Sequence, residues 1–108
     1  MATPRLTYPT VLVLYAVAYG HAYGFDVIDV TGLGSGTVYP ILRRLERAGF
    51  LRGAAERGRE AQAAGRPPRR YYSVTRSGAE ALRAALARHP GVAAVFGATP
   101  GTLTPRPA

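Results

Sequence analysis

The stretch from Leu33 to Gly49, LGSGTVYPILRRLERAG, constrains this chain more than any other. Ser35 stands where a helix N-cap belongs, Val38, Ile41, Leu42 and Leu45 recur at helical spacing, and Gly49 supplies a stop. Four apolar residues on one stripe need a core to cover them. At about 100° per residue, Gly36, Pro40, Arg43, Arg44 and Arg47 fall on the opposite side, with Thr37 and Tyr39 flanking it. A proline only a turn or so beyond the cap costs little, because most N–H groups there lack intrahelical partners. The helix so predicted has an apolar back and a small-residue, arginine-rich front, a shape suited to a nucleic-acid groove.

A short helix is expected before it, at about Tyr23–Val30, with Phe25 and Ile28 facing inward and Asp26 and Asp29 facing solvent. Thr31-Gly32-Leu33-Gly34 then reads as a turn whose glycines are free to take positive φ. Short helix, glycine turn, arginine-faced helix is the helix-turn-helix order, in which the second member enters the major groove. Further upstream, Pro9 suits the first turn of a helix running to about Tyr19 and closed by Gly20. Leu12, Tyr15, Ala16 and Tyr19 make its stripe, yet the segment is apolar almost all round and uncharged. It is therefore either central in the core or part of a subunit contact. Arg5 followed by Val11–Tyr19 also imitates a short secretory signal. Tyr15 and Tyr19 at i, i+4 suit a core helix, and that reading is preferred. No segment approaches the ~18–20 apolar residues of a membrane span.

After Gly49 the pattern becomes strand-like. Phe50–Glu56 is a weak strand and Arg70–Thr75 a better one, rich in aromatic and β-branched residues, with Tyr72 expected in the core in phase with Val74. Between them residues 57–69 read as a long, flexible basic loop, so the hairpin makes a wing. Thr75 can cap a last helix, about Arg76–His89, ended by Pro90-Gly91. Ala79, Leu82, Ala85 and Leu86 give it a narrow stripe of the kind that pairs with another chain. Four regions result: a loose basic arm over 1–7, a winged unit over 8–75, a dimerisation helix over 76–90, and a tail over 91–108 whose Pro/Thr/Gly composition predicts disorder. The fold class is α+β, a winged helix-turn-helix with three N-terminal helices, a two-stranded wing and one C-terminal helix.

Charge placement narrows the function. The 108-residue chain carries +8, and residues 43–76 account for +7 of it. That polarisation favours a polyanionic partner. All fourteen basic residues are arginine; arginine forks grip phosphates and guanine edges bidentately, although an Ala/Gly/Arg/Pro-rich composition explains the missing lysine equally well. Cysteine is absent, which excludes disulfides and thiolate metal sites. His21 and His89 are too few and too far apart for a metal site, the six acids are scattered, and no nucleophile–base constellation is visible. Gly32-Leu33-Gly34-Ser35-Gly36 is no dinucleotide loop, since Thr37 stands where the third glycine belongs and a helix precedes it. Neither an enzyme nor a cofactor is expected.

Three stretches, in order and sensibly spaced, carry a resemblance. YGFDVI at 23–28 resembles the YGYEI-like opening of the second helix in PadR-family winged-helix transcriptional regulators. SGTVYPILRRLERAG at 35–49 resembles that family's recognition helix, GTLYPLLxRLExxG, and GRPPRRYYSVT at 65–75 resembles its wing and returning strand, GRPRRYYxLT. The wing departs from the pattern in its second proline, Pro68, and in its length on the N-terminal side. With room for one helix after the wing, the chain is similar to the short form of the family, in which the first and last helices make the dimer. The resemblance implies a repressor of its own or a neighbouring gene that binds an inverted repeat as a homodimer. By position, Ser35, Gly36, Thr37 and Tyr39 would meet bases or phosphates in the major groove, while Arg66 and Arg69 would lie along the adjacent minor groove or backbone.

The residues themselves add to this. Pro40, Arg43 and Arg44 lie on the same front as those four, and Arg70 joins Arg66 and Arg69 as a phosphate clamp around Pro67-Pro68. Leu12, Tyr15, Tyr19, Leu82 and Leu86 are the expected dimer contacts. The expected partners are double-stranded DNA and a second copy, in the cytoplasm, with no membrane. Two other readings remain open: a winged helix that meets an acidic protein, and a ligand-responsive repressor in which Tyr15, Tyr19 and other aromatics line a cavity between subunits for a small aromatic ligand.

Overall fold

Helix α1, Tyr8–Ala18, is the element on which the others pack, in a computed structural model that describes residues 6–96. Every side chain from Thr10 to Ala18 is buried. A helix apolar all round needs cover on all sides, and here one chain provides it: α2 (Gly24–Thr31), α3 (Ser35–Arg47), strand β2 (Arg70–Val74), α5 (Arg76–Arg88) and α6 (Gly91–Val95) all touch α1. Of the two places open to an uncharged helix, the structure shows the centre of the core. Full burial of each Val or Leu contributes about 1.5–3 kcal/mol, so α1 is the main source of cohesion. Pro9 sits in its first turn, and Gly20, at φ 98°, follows its end.

Helix α2 is rotated from the expected phase. Phe25, predicted to point inward, is 68% exposed, and Gly24 and Val27 are the buried residues. The reason is the tight approach of α3: the ring of Tyr39 fills the space a Cβ on Gly24 would need, with its Cζ and hydroxyl each 2.6 Å from that position. Helix α3 starts one residue earlier than a Ser35 cap requires. Gly34 is the extended residue at the N-cap, Ser35 is the first helical residue, and its side chain makes no capping bond. The stop is as expected. Gly49 takes φ 81°, its N–H donates to Glu46 C=O and that of Phe50 to Leu45 C=O, the paired bonds of a Schellman ending.

Strand β1, Leu51–Ala55, pairs antiparallel with β2 in the register Leu51↔Val74 to Ala55↔Arg70. Tyr72 is buried, and its N–H donates to Ala22 C=O at 2.7 Å, which ties the wing root to the entry of α2. The segment between the strands is not the flexible loop expected. It folds into a helix, α4, Gly58–Ala63, which buries Ala61. A second Schellman ending closes it, with Gly65 at φ 71° donating to Gln62 and Arg66 to Ala61.

Thr75 caps α5 as predicted, its Oγ1 accepting from Gly78 N–H at 3.1 Å and donating to Gly49 C=O at 2.6 Å. That hydroxyl thereby pins α5 to the end of α3. Residues 91–96, assigned to a disordered tail, form α6 and the turn after it. Val92 and Ala93 are completely buried against the core, so the apolar Val92–Phe96 run is the last piece of cover for α1. The remaining tail, 97–108, and residues 1–5 of the arm lie outside the described residues; Leu6 of the arm packs on the core. Among the described residues, no helix is long and apolar enough to cross a membrane.

Candidate nucleic-acid interface

Burial of Val38, Ile41, Leu42 and Leu45 against α1 and β1 fixes which way α3 faces. Ser35, Gly36, Thr37, Arg43, Arg44 and Arg47 are left exposed. Gly36, Thr37, Pro40, Arg43, Arg44 and Arg47 line a shallow furrow of about 510 Å³. Gly36 has open space where a side chain would stand, so the backbone at the start of α3 is accessible. Among the described residues none of these three arginines makes an ion pair. Tyr39, expected to flank the front, is half-buried: its ring covers Gly24 and meets Phe25 edge-on at 6.5 Å and 89°.

The wing arginines are placed differently. Arg66 donates through both terminal nitrogens to Glu56, with Nη2 2.8 Å from Oε2. Glu56 also accepts from the Arg69 backbone N–H at 3.1 Å and the Tyr71 hydroxyl at 3.2 Å, and its side chain is only 6% exposed. The Arg66 hydrogen bond is the largest influence holding that carboxyl down at about 2, against an opposing contribution from burial. The guanidinium of Arg69 lies 4.1 Å over the Tyr23 ring. Arg70 reaches back to α3, its Nη2 2.6 Å from Glu46 Oε2. All three predicted clamps are thus engaged by their own chain: Arg66 braces the wing internally, while Arg69 and Arg70 hold it to the start of α2 and to α3. Arg52, Arg57 and Arg59 are exposed on the wing and form no ion pair among the described residues. Sequence reading passed over Glu56 as an isolated acid, and only the hairpin's return brings its partners to it.

The five residues expected at a dimer contact sit mostly inside one chain. Leu12, Tyr15, Leu82 and Leu86 are 7% exposed or less, and Tyr19 is half-buried, stacked on Tyr15 at 4.9 Å. Phe96 completes that stack, 4.8 Å from Tyr15, so the rings fill space against one another. Exposed apolar side chains nearby are Tyr8, at the start of α1, and Val95 in α6. Among the described residues no cluster of His, Asp and Glu suits a metal ion.

The three-helix body, the arginine-fronted α3 and the two-stranded wing make a winged helix, and the profile of the transcriptional regulator PadR-like family matches residues 13–84. The chain belongs to that family. PadR-like proteins are transcriptional regulators, not enzymes. Among solved structures, the chain is similar to a PadR family transcriptional regulator from Eggerthella lenta DSM 2243, at 26% identity and a TM-score of 0.60, over 81% of this chain and 77% of that one. It is similar to a Streptococcus mutans UA159 protein at 25% identity and TM-score 0.58, over 84% and 85% of the two chains. A PadR family regulator from Clostridium difficile R20291 shares the fold at 21% identity and TM-score 0.63, over 84% of this chain and 96% of its own. No curated protein matches the chain.

Proposed function

We propose that this PadR-family protein is a cytoplasmic, sequence-specific repressor that binds an inverted-repeat operator as a homodimer. One observation carries the reading: α3 buries its apolar stripe in the core and leaves Arg43, Arg44 and Arg47, without ion-pair partners among the described residues, beside an accessible N-terminal backbone. In the major groove Ser35, Gly36 and Thr37 would approach base edges, Arg43 or Arg44 would take guanine edges or phosphates, and Arg47 a phosphate. Residues 8–75 are the DNA-reading unit. The wing contacts the duplex backbone through Arg57 and Arg59, while Arg66, Arg69 and Arg70 set its angle. A second copy docks on the side formed by α1, α5 and α6, where Tyr8 and Val95 are exposed. It would place the two recognition helices about 34 Å apart, one turn of duplex.

Footprinting the purified protein on the DNA upstream of its own gene tests this. Protection of two half-sites on one face, lost on a scrambled duplex of equal length, is the expected result. Equal affinity for both duplexes would remove the regulator reading and favour a winged helix whose charged face meets an acidic protein.

A further inference from the structure

A second concavity of about 570 Å³ lies between α3 and the wing, beside the furrow along the front of α3 and sharing Arg43 with it. Its size falls within that of pockets that hold small organic ligands. One half is aromatic: Tyr23, Phe25 and Tyr39 stand around it, with Tyr72 and Pro67 completing the apolar wall. Phe25 is 68% exposed there, an unusual place for a phenylalanine unless something covers it. The other half is cationic. Arg43 reaches it without an ion-pair partner among the described residues, and Arg70 is held by Glu46 through one terminal nitrogen, at a side-chain exposure of 47%. Arg66 and Arg69 also border it, so arginines outnumber the single acid, Glu46, four to one.

We infer that this groove is a small-molecule site for a planar ring bearing a phosphate, the chemistry of a nucleoside monophosphate. The ring packs against Phe25 and Tyr39, whose mutual right angle offers one face and one edge. The phosphate takes the free fork of Arg43 and competes with Glu46 for Arg70. A phosphate suits this better than a carboxylate because two guanidinium groups, of Arg43 and Arg70, line the groove, and three acceptor oxygens can serve both. The regulatory part of the inference rests on the DNA-binding reading above: a ligand seated between α3 and the wing stands where a duplex strand must pass, so nucleotide and operator exclude each other.

Calorimetric titration of the full chain with AMP and with GMP tests the site without DNA. Saturable binding of at least one is expected, weakened about tenfold or more for adenosine, which lacks the phosphate, and for inorganic phosphate, which lacks the ring. Phe25→Ala, at a largely exposed position, should keep the wild-type melting temperature and lose about tenfold in nucleotide affinity. No saturable binding of AMP or GMP, an unchanged affinity in Phe25→Ala, or benzoate binding as tightly as either nucleotide would each overturn the assignment. Competition is measured separately, on the upstream duplex: the nucleotide should raise the apparent Kd for DNA. A nucleotide that binds and leaves that Kd unchanged refutes the exclusion. Failure to bind the duplex in the absence of nucleotide refutes the DNA reading, and the calorimetric result stands by itself.

Discussion

Arg44→Ala and Arg66→Ala remove the same charge from the same chain, yet on the proposed reading only the first should change the salt dependence of DNA binding. Arg44 projects from α3 with no carboxylate in reach among the described residues, whereas both terminal nitrogens of Arg66 are spent on Glu56. Only a cation free to neutralise a phosphate releases a counterion. If Arg43, Arg44 and Arg47 each take one phosphate per protomer, α3 supplies about six such contacts to a dimer and about −5.4 of the log–log salt slope, to which the wing adds its own. The α3 share alone lowers affinity about 10³-fold between 50 and 200 mM salt. Arg44→Ala removes two contacts per dimer, which lowers the slope by about 1.8 and shrinks that share to about 10²-fold. Arg66→Ala leaves the slope at its wild-type value; its cost shows instead as a loosened wing, because Glu56, only 6% exposed in the intact pair, loses its main partner. Fluorescence anisotropy on an operator duplex at five salt concentrations measures the slope, and limited proteolysis at Arg57 and Arg59 reports the state of the wing. A wild-type slope in Arg44→Ala together with a reduced one in Arg66→Ala would reverse the assignment and refute the reasoning.

Protonation of Glu56 should undo the wing's anchor. Its folded value of about 2 lies below the ordinary 4.5, so its stabilising contribution is complete above pH 4.5 and is lost as the pH falls towards 2. Thermal melts between pH 2 and 6 should therefore decline less steeply in Glu56→Gln than in the wild type, and superimposable profiles would count against the anchor. Gly78→Ala should be destabilising, because a Cβ there meets the Phe50 carbonyl, with the carbonyl carbon at 2.9 Å and Val74 Cγ1 at 3.0 Å. Backbone cannot swing aside, so a loss of about 1–3 kcal/mol is expected, read as a drop in melting temperature of about 4–8 °C per kcal/mol. Gly24→Ala meets only the far end of the Tyr39 ring, which can move towards solvent. It should melt close to the wild type and bind DNA more weakly.

Much of the fold is legible in local pattern. The 3.6-residue recurrence of Val38, Ile41, Leu42 and Leu45, the glycine at 49 and the threonine at 75 each specify a local feature that needs no distant partner to be recognised. Helix α4 was equally available: Ala61-Gln62-Ala63-Ala64-Gly65 is a helix-forming run with its own terminator, and the density of arginine and glycine around it obscured the signal. Helix α6 was hidden by length, since five apolar residues followed by Pro, Thr and Gly carry no period of their own. The site was legible on α3 and not on the wing. Arginine type and spacing show where charge lies, but whether a guanidinium is free depends on which acid the fold returns to it.

From its residues alone, then, the chain determined a three-helix body with an arginine-fronted third helix, a hairpin after it and a capped helix beyond, because periodicity, caps and stops act within a few residues of one another. Tertiary structure alone decided that α1 lies at the centre and that Phe25 points outward. It also decided that Arg66 and Arg70 are paired while Arg43, Arg44 and Arg47 are left without ion-pair partners among the described residues. Those outcomes depend on contacts between residues ten or more positions apart, such as Gly24 with Tyr39, Glu56 with Arg66 and Glu46 with Arg70, and such contacts exist only once the chain has closed on itself.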